Sequence, residues 1–222
     1  MGRRRAYDRD QIAAAALDVL DRDGPASLSM RAVADELGTG AMTLYNYVSD
    51  REELEALVID VVAAEMRLPH PADPWQERVR AIGQSIATAV HAHPGVAPLM
   101  LTRRSTSPAA LLPAEALLDA LTDAGLSGHA RLVAFRTLLA VVMGIVQADV
   151  AGPLSHVHGQ DPRDRFAALD PNEFPHLVAL AKDARTSSLD QEIQSALTLV
   201  IDAIQQGSPT APRRGSSRRP TR

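Results

Sequence analysis

Apolar residues recur along this chain at the spacing of an α-helix, and no stretch of strand length alternates apolar with polar residues. The first clear example is the set Ile12, Ala15, Ala16, Val19 and Leu20. Aromatic residues make up 3% of the sequence, so Leu, Val, Ile and Ala must fill the core, and Ala and Leu favour helices. We therefore expect an all-α fold.

Residues 29–49 predict a helix-turn-helix. A short helix after Ser29 ends at Gly38, and after a tight connection another helix begins near Ala41. Leu44 and the valine four positions later share one face, which we expect to point into the core. In such a motif the first helix crosses the DNA backbone and the second enters the major groove. The exposed side chains of the second helix are therefore candidate base contacts.

The next helix is expected to begin at Ser49, because Glu52 would complete a capping box with it. Prolines at 69, 71 and 74 then interrupt the chain. From these signals we expect three parts. Residues 1–52 form a helix-turn-helix head, residues 53–206 form a helical body for effector binding and dimerisation, and residues 207–222 form a disordered basic tail.

Two helices of the body are expected to mediate dimerisation. Residues 128–151 carry long apolar stretches rather than one stripe, so this helix must be covered on more than one side. We expect it to pair, together with residues 187–206, with the same helices of a second copy in a four-helix interface. Between Pro108 and Pro113 we expect a loop.

Charge and composition restrict the location and the partners. The net charge is −4, but arginines are clustered within residues 3–9 and 213–222, where they could contact phosphates. The chain has no cysteine, which agrees with a reducing cytoplasm, and no apolar stretch follows the first arginines as it would in a signal peptide. The longest uninterrupted apolar run, residues 138–146, is far shorter than the roughly 20 residues of a membrane span. We expect a cytoplasmic protein without a membrane partner.

Several motifs resemble the DNA-binding head of the TetR family of repressors. They are Leu37-Gly38, Thr43-Leu44-Tyr45, the Arg-Ala-Val-Ala stretch of residues 31–34, and the Val-Ser-Asp-Arg-Glu-Glu-Leu stretch of residues 48–54. This resemblance covers about residues 9 to 65. The body resembles the tetracycline-repressor-like C-terminal domain around residues 93–97 and 174–177.

The resemblance implies a homodimeric transcription regulator that binds an inverted-repeat operator in double-stranded DNA and is released by a small-molecule effector. Arg51 would touch phosphate, whereas Asn46-Tyr47 departs from the aromatic pair usual in the family, so base preference does not transfer. Repression and activation both remain open. The implied DNA-contact residues are Arg31, Thr39, Gly40, Ala41, Met42, Thr43, Tyr45, Asn46, Tyr47 and Arg51.

An effector of this chain is expected to be apolar or amphipathic, because the residues that we place at its pocket are mostly apolar. For each of them, ordinary core packing is the alternative. The predicted lining residues are Met66, Ile86, Val90, Met100, Leu117, Phe135, Leu139, Met143 and Gln147.

No enzyme signature and no cofactor motif is found, so we expect neither catalysis nor a cofactor. A DNA-binding regulator without a small effector and, more remotely, a helical enzyme are the alternatives. His91 and His93 lie two apart on a helix and do not share a face. His156 and His158 could hold a metal with Asp161, but ordinary loop polarity is the favoured explanation, and no metal site is expected.

Overall fold

A computed structural model describes residues 7–102, 107–151 and 166–207 of the chain. Within these ranges the protein is helical and contains no β-strand, which confirms the all-α expectation. The head consists of α1 (Arg9–Asp23), α2 (Met30–Glu36) and α3 (Ala41–Leu44). Helix α4 (Arg51–Glu65) packs against α1 on one side and against the body on the other.

The body contains the remaining helices. These are α5 (Trp75–Ala92), a 3₁₀ turn (Pro94–Val96), α6 (Ala97–Thr102), α7 (Pro108–Asp123), α8 (Gly128–Ala151), α9 (Pro175–Ala184) and α10 (Leu189–Gly207). The expected disordered tail lies, after its first residue, outside the described residues. Helix α5 is the centre of the body, because α7, α8 and α10 all pack on it. At Gly83 the approach is close, since a Cβ there would lie 2.8 Å from a methyl carbon of Leu197.

Local signals set the helix starts. In α1 the Asp8 carboxylate accepts the backbone N–H of Gln11, and the Gln11 side chain accepts the N–H of Asp8, so the two residues form a capping box. Helix α4 begins one residue later than expected, because Asp50 rather than Ser49 is its N-cap. Asp and Ser are comparable N-caps. Here Asp50 accepts the N–H of Glu53 at 2.9 Å.

The expected loop between Pro108 and Pro113 is wrong, because both prolines belong to α7. Ser107 is the N-cap, and Pro108 occupies the first turn, where a missing N–H costs nothing. Pro113 lies farther inside the helix and removes one helical hydrogen bond. Its buried ring contributes packing that offsets this loss.

Helix α8 presents much of its apolar surface outward. By length and composition it could cross a membrane, and among the described residues it is the one helix that meets this criterion. The sequence criterion of an uninterrupted apolar run did not identify this helix, because polar residues divide its apolar stretches. Only 22% of this stretch is buried within the chain. Leu132 and Val133 are exposed, as is Leu199 (72%) on the neighbouring α10. The described residues therefore leave an apolar face on α8 and α10 uncovered.

Candidate functional site

The head projects one short segment outward. We call α3 and the turn after it, up to Tyr47, the recognition segment. Leu44 and Val48 are buried beneath it, as their spacing predicts. The Tyr47 and Val48 backbone N–H groups both donate to the Leu44 carbonyl, at 2.9 and 3.1 Å, so the chain keeps a helical path past α3. Met42 is 79% exposed and Tyr45 is 49% exposed, which makes them the most prominent apolar groups of the head.

The recognition segment is polar but uncharged. From Thr39 to Ser49 the sequence has no acidic or basic residue. Methyl, thioether and hydroxyl groups are therefore what this surface offers to another molecule, and such groups suit thymine methyls and phosphate oxygens. The nearest basic side chain on α2 is Arg31, which is exposed and only 3.9 Å from Asp35 at its closest ion-pair atoms.

Asn46 is engaged within its own segment. Its side-chain amide nitrogen donates to the Met42 carbonyl at 3.3 Å and to the Thr43 carbonyl at 3.2 Å. These bonds satisfy carbonyl groups at the end of the short helix, where a helix normally lacks partners. The structure thus gives Asn46 a local bracing role, and its contact with DNA stays a prediction.

Arg51 and Tyr47 also brace the head. The Arg51 guanidinium donates to Glu55 at 2.9 Å and to the Pro25 carbonyl at 2.8 Å, which ties the start of α4 to the turn after α1. The Tyr47 ring packs edge-on against Tyr7, with ring centroids 6.4 Å apart. The predicted phosphate contacts of both residues are therefore untested, and both side chains have a structural role as well.

Glu53 joins the two ends of the head, and the sequence analysis missed it. Its carboxylate accepts the Ser49 backbone N–H at 2.8 Å and the Arg9 guanidinium at 2.7 Å. These two contacts, the Ser49 backbone bond first, lower the pKa of Glu53 below its ordinary value. Arg9 had been grouped with the terminal arginines because its partner lies 44 positions away.

Glu53→Gln should therefore destabilise the protein slightly at neutral pH, by about 0.5–1 kcal/mol. A carboxyl group whose pKa is lowered by folding stabilises the fold above its unfolded pKa, and this contribution disappears as pH falls through the folded pKa. We expect the difference between variant and wild type in urea unfolding to shrink to zero on acidification. A difference that grows with acidity would contradict the assignment.

A cavity of about 160 Å³ lies between α4, α5, α6, α7 and α8. Six of the nine residues that the sequence places at an effector pocket line this cavity: Met66, Ile86, Met100, Leu117, Leu139 and Met143. Val90 is instead fully buried in the core, Phe135 packs half-buried against the core, and Gln147 is exposed. Each of these three is four positions from a lining residue, so it lies on the same helix face, one turn beyond the cavity. An open surface groove of about 770 Å³ runs along α5 and shares no lining residue with this cavity.

The cavity also has walls that the sequence analysis did not identify. They are Ile59, Ala63, Leu101, Ala110, Pro113 and Ala114. Ile59 and Ala63 belong to α4, so the helix that begins at the recognition segment ends at the cavity. Beside the cavity the Ser107 hydroxyl, at the start of α7, is hydrogen-bonded to Asp60 on α4. Separation of α4 from α7 would break this contact.

No cluster of three metal-ligating side chains occurs in the described ranges 7–102, 107–151 and 166–207. His156, His158 and Asp161 lie outside them, as do the arginines of residues 3–5 and 213–222. His91 and His93 do not face each other, because His91 contacts Asp149 on α8 and His93 contacts α1 and α4.

Family models match most of the chain. Residues 12–56 match the model described as bacterial regulatory proteins, tetR family, and residues 68–207 match the tetracyclin repressor-like C-terminal domain. An HTH-type transcriptional regulator of Saccharopolyspora erythraea is 36% identical over 142 residues, which is 64% of this chain and 60% of that protein. The HTH-type transcriptional repressor DrrR1 of Streptomyces coeruleorubidus is 30% identical, over 64% of this chain and 53% of its own length. The alignments thus span less than two thirds of both relatives.

Solved structures share the whole fold. ActR of Streptomyces coelicolor, a TetR family protein, has been solved in complex with actinorhodin and in complex with (S)-DNPA. In each case the similarity to this chain has a TM-score of 0.73 at 27% identity, and it covers 92% of this chain and 100% of the ActR chain. Head and body are therefore arranged as in a ligand-binding relative.

Proposed function

Since this chain belongs to the TetR family of bacterial regulatory proteins, we propose that it is a DNA-binding transcriptional repressor controlled by an apolar small molecule. The observation that carries the proposal is the placement of α4. This helix follows the recognition segment directly, and its Ile59, Ala63 and the adjoining Met66 form one wall of the apolar cavity. A ligand in the cavity therefore acts on the helix that supports the DNA-reading surface.

The recognition segment reads the major groove through uncharged side chains. Met42→Ala should weaken operator binding by about 1–3 kcal/mol and relax base preference, because Met42 is the most exposed apolar group of the segment. Fluorescence anisotropy on operator variants measures both effects. Glu115→Ala, at an exposed position on α7 in the body, is the control and should change neither. An unchanged base preference in Met42→Ala would remove Met42 from the reading surface.

The protein acts as a homodimer through the apolar face of α8 and α10. The support for this interface is that Leu132, Val133 and Leu199 are exposed, because the described residues of one chain leave them uncovered. A dimer with twofold symmetry places its recognition segments in successive major grooves, about 34–36 Å apart. The operator is then an inverted repeat, and the protein works in the cytoplasm, where the DNA is.

The effector occupies the cavity between α4 and α7. At about 160 Å³ the cavity is smaller than the roughly 300 Å³ at which ligand pockets begin, so a bound ligand must part its walls. Three methionines, Met66, Met100 and Met143, line it, and their flexible thioethers can repack around a flat apolar ring. ActR, with the same fold, binds actinorhodin. A ligand that prefers the parted state lowers operator affinity by linkage.

The experiment begins with selection of bound fragments from genomic DNA to obtain the operator. Actinorhodin is then the first probe in a screen of apolar aromatic compounds, read by melting temperature and by operator affinity. An effector should raise the operator Kd at least about fivefold. Ala114→Leu fills the cavity and should abolish this response while operator binding persists. If no apolar compound changes either reading, the regulator without a small effector is the correct alternative.

A further inference from the structure

One side chain of the body, His93, contacts acidic residues on two helices, α1 and α4. The connection between α5 and α6 lies against the end of α1, and it begins with His93. The His93 Nδ1 atom is 2.6 Å from an Asp21 carboxylate oxygen on α1. Its Nε2 atom is 3.4 Å from a Glu65 carboxylate oxygen at the last residue of α4. Both ring nitrogens thus face acids: Nδ1 is within hydrogen-bond distance of Asp21, and Nε2 makes a longer contact with Glu65.

An apolar contact fixes the position of this histidine. Two residues farther along, Gly95 lies so close to α1 that a Cβ would be 2.9 Å from the Leu20 side chain and 3.2 Å from the Leu20 carbonyl oxygen. Leu20 and Val96 are both buried at the same contact. Glycine permits the approach, and the packed backbone then brings the ring of His93 to Asp21. The polar contact is therefore held by rigid packing on the body side.

The same contact lies next to the cavity. Glu65 directly precedes Met66, which lines the cavity, so the end of α4 meets the effector site and His93 within two residues. A shift of this end of α4 changes the Glu65–His93 distance. Because His93 also contacts Asp21, the same shift is transmitted to α1, the first helix of the head.

We propose that His93 is a positioning residue that latches the head to the body through Asp21 and Glu65. The latch narrows the range of head orientations, and it adds a polar connection between the end of α4 and α1 to the packing of these two helices. This inference rests on the proposed function, because the orientation of the head has a consequence only if the head reads DNA. The orientation itself is measurable without DNA or effector.

Spin labels can measure the head orientation cleanly, because the chain contains no cysteine. Ala14→Cys on α1 and Glu115→Cys on α7 introduce two exposed labelling sites outside the latch. Double electron–electron resonance on the full-length protein, diluted with unlabelled chains, gives the head-to-body distance distribution within one copy. We expect a narrow distribution in the parent and a wider or shifted one in His93→Ala.

Two further variants separate the latch from ordinary destabilisation. Asp21→Asn weakens the latch from the head side and should widen the distribution as His93→Ala does. His91→Ala is the matched control, because His91 contacts Asp149 at 3.5 Å and joins α5 to α8 within the body. It should leave the distribution unchanged. Should His93→Ala fail to fold, Asp21→Asn decides. An unchanged distribution in the folded latch variants overturns the proposal.

Operator affinity supplies the functional reading. His93→Ala and Asp21→Asn should each weaken binding to the selected operator about fivefold or more, and His91→Ala should not. The double variant should be no weaker than His93→Ala, since both changes remove the same contact. Fully additive losses would contradict a shared latch. If the wild type binds no DNA fragment, the proposed function is wrong, whereas the distance measurement still tests the latch.

Discussion

Leu199→Glu should convert the protein from a dimer into a monomer and weaken operator binding by about 10²-fold or more. Leu199 is 72% exposed on α10, which packs beside α8 with its exposed Leu132 and Val133, and several exposed apolar groups on two neighbouring helices indicate burial by a second copy. A glutamate there would require burial of a carboxylate from each copy in the interface, and removal of an ionised carboxylate from water is costly. A monomer engages one half-site and loses the gain that two linked half-sites provide.

Sedimentation equilibrium and operator titration at the same protein concentration test this expectation. Val133→Glu places the charge on the other helix of the face and should have the same effect. Leu68→Glu is the matched control, because Leu68 is an exposed leucine that follows α4 and lies outside this face. A stable dimer in both Leu199→Glu and Val133→Glu would show that another surface joins the copies.

The second large effect concerns the buried Arg78 of α5. Its guanidinium is 3% exposed and forms ion pairs with Asp119, at 2.6 Å, and with Asp123, both on α7. The two carboxylates are more than half exposed. Removal of both acids with Asp119→Asn and Asp123→Asn leaves a buried cation without a counter-charge. We expect this to lower the free energy of unfolding by about 3–5 kcal/mol.

Removal of the arginine instead of the two acids should lower the free energy of unfolding by less. Arg78→Met removes the buried charge, and the two aspartates it leaves behind can be hydrated because they are exposed. Combining Arg78→Met with both asparagine substitutions should recover most of the stability lost in the double-asparagine variant, since no buried charge remains. Urea unfolding at neutral pH and equal protein concentration compares the three variants. A greater loss in Arg78→Met than in the double-asparagine variant would mean that packing of the arginine stem dominates.

Features that depend on residues within about four positions were predictable from the sequence. The start of α2 after Ser29 and the inward face of Leu44 agree with the structure, and the capping box of Asp8 and Gln11 joins residues only three positions apart. Each is a local balance between backbone hydrogen bonds and the burial of one helix face. Even here two neighbouring caps competed, and Asp50 rather than Ser49 starts α4.

Features that join distant segments were decided by packing. Arg78 meets Asp119 across 41 positions, and Asp21 meets His93 across 72. The helical repeat shows which residues share a face, but it is the same whatever that face contacts. The rotation of each helix about its axis is set only when the helices pack together. The length of the cavity along a helix is likewise decided only by packing: Leu139 and Met143 line it, whereas Phe135 and Gln147, one turn before and one turn after them on the same face of α8, do not.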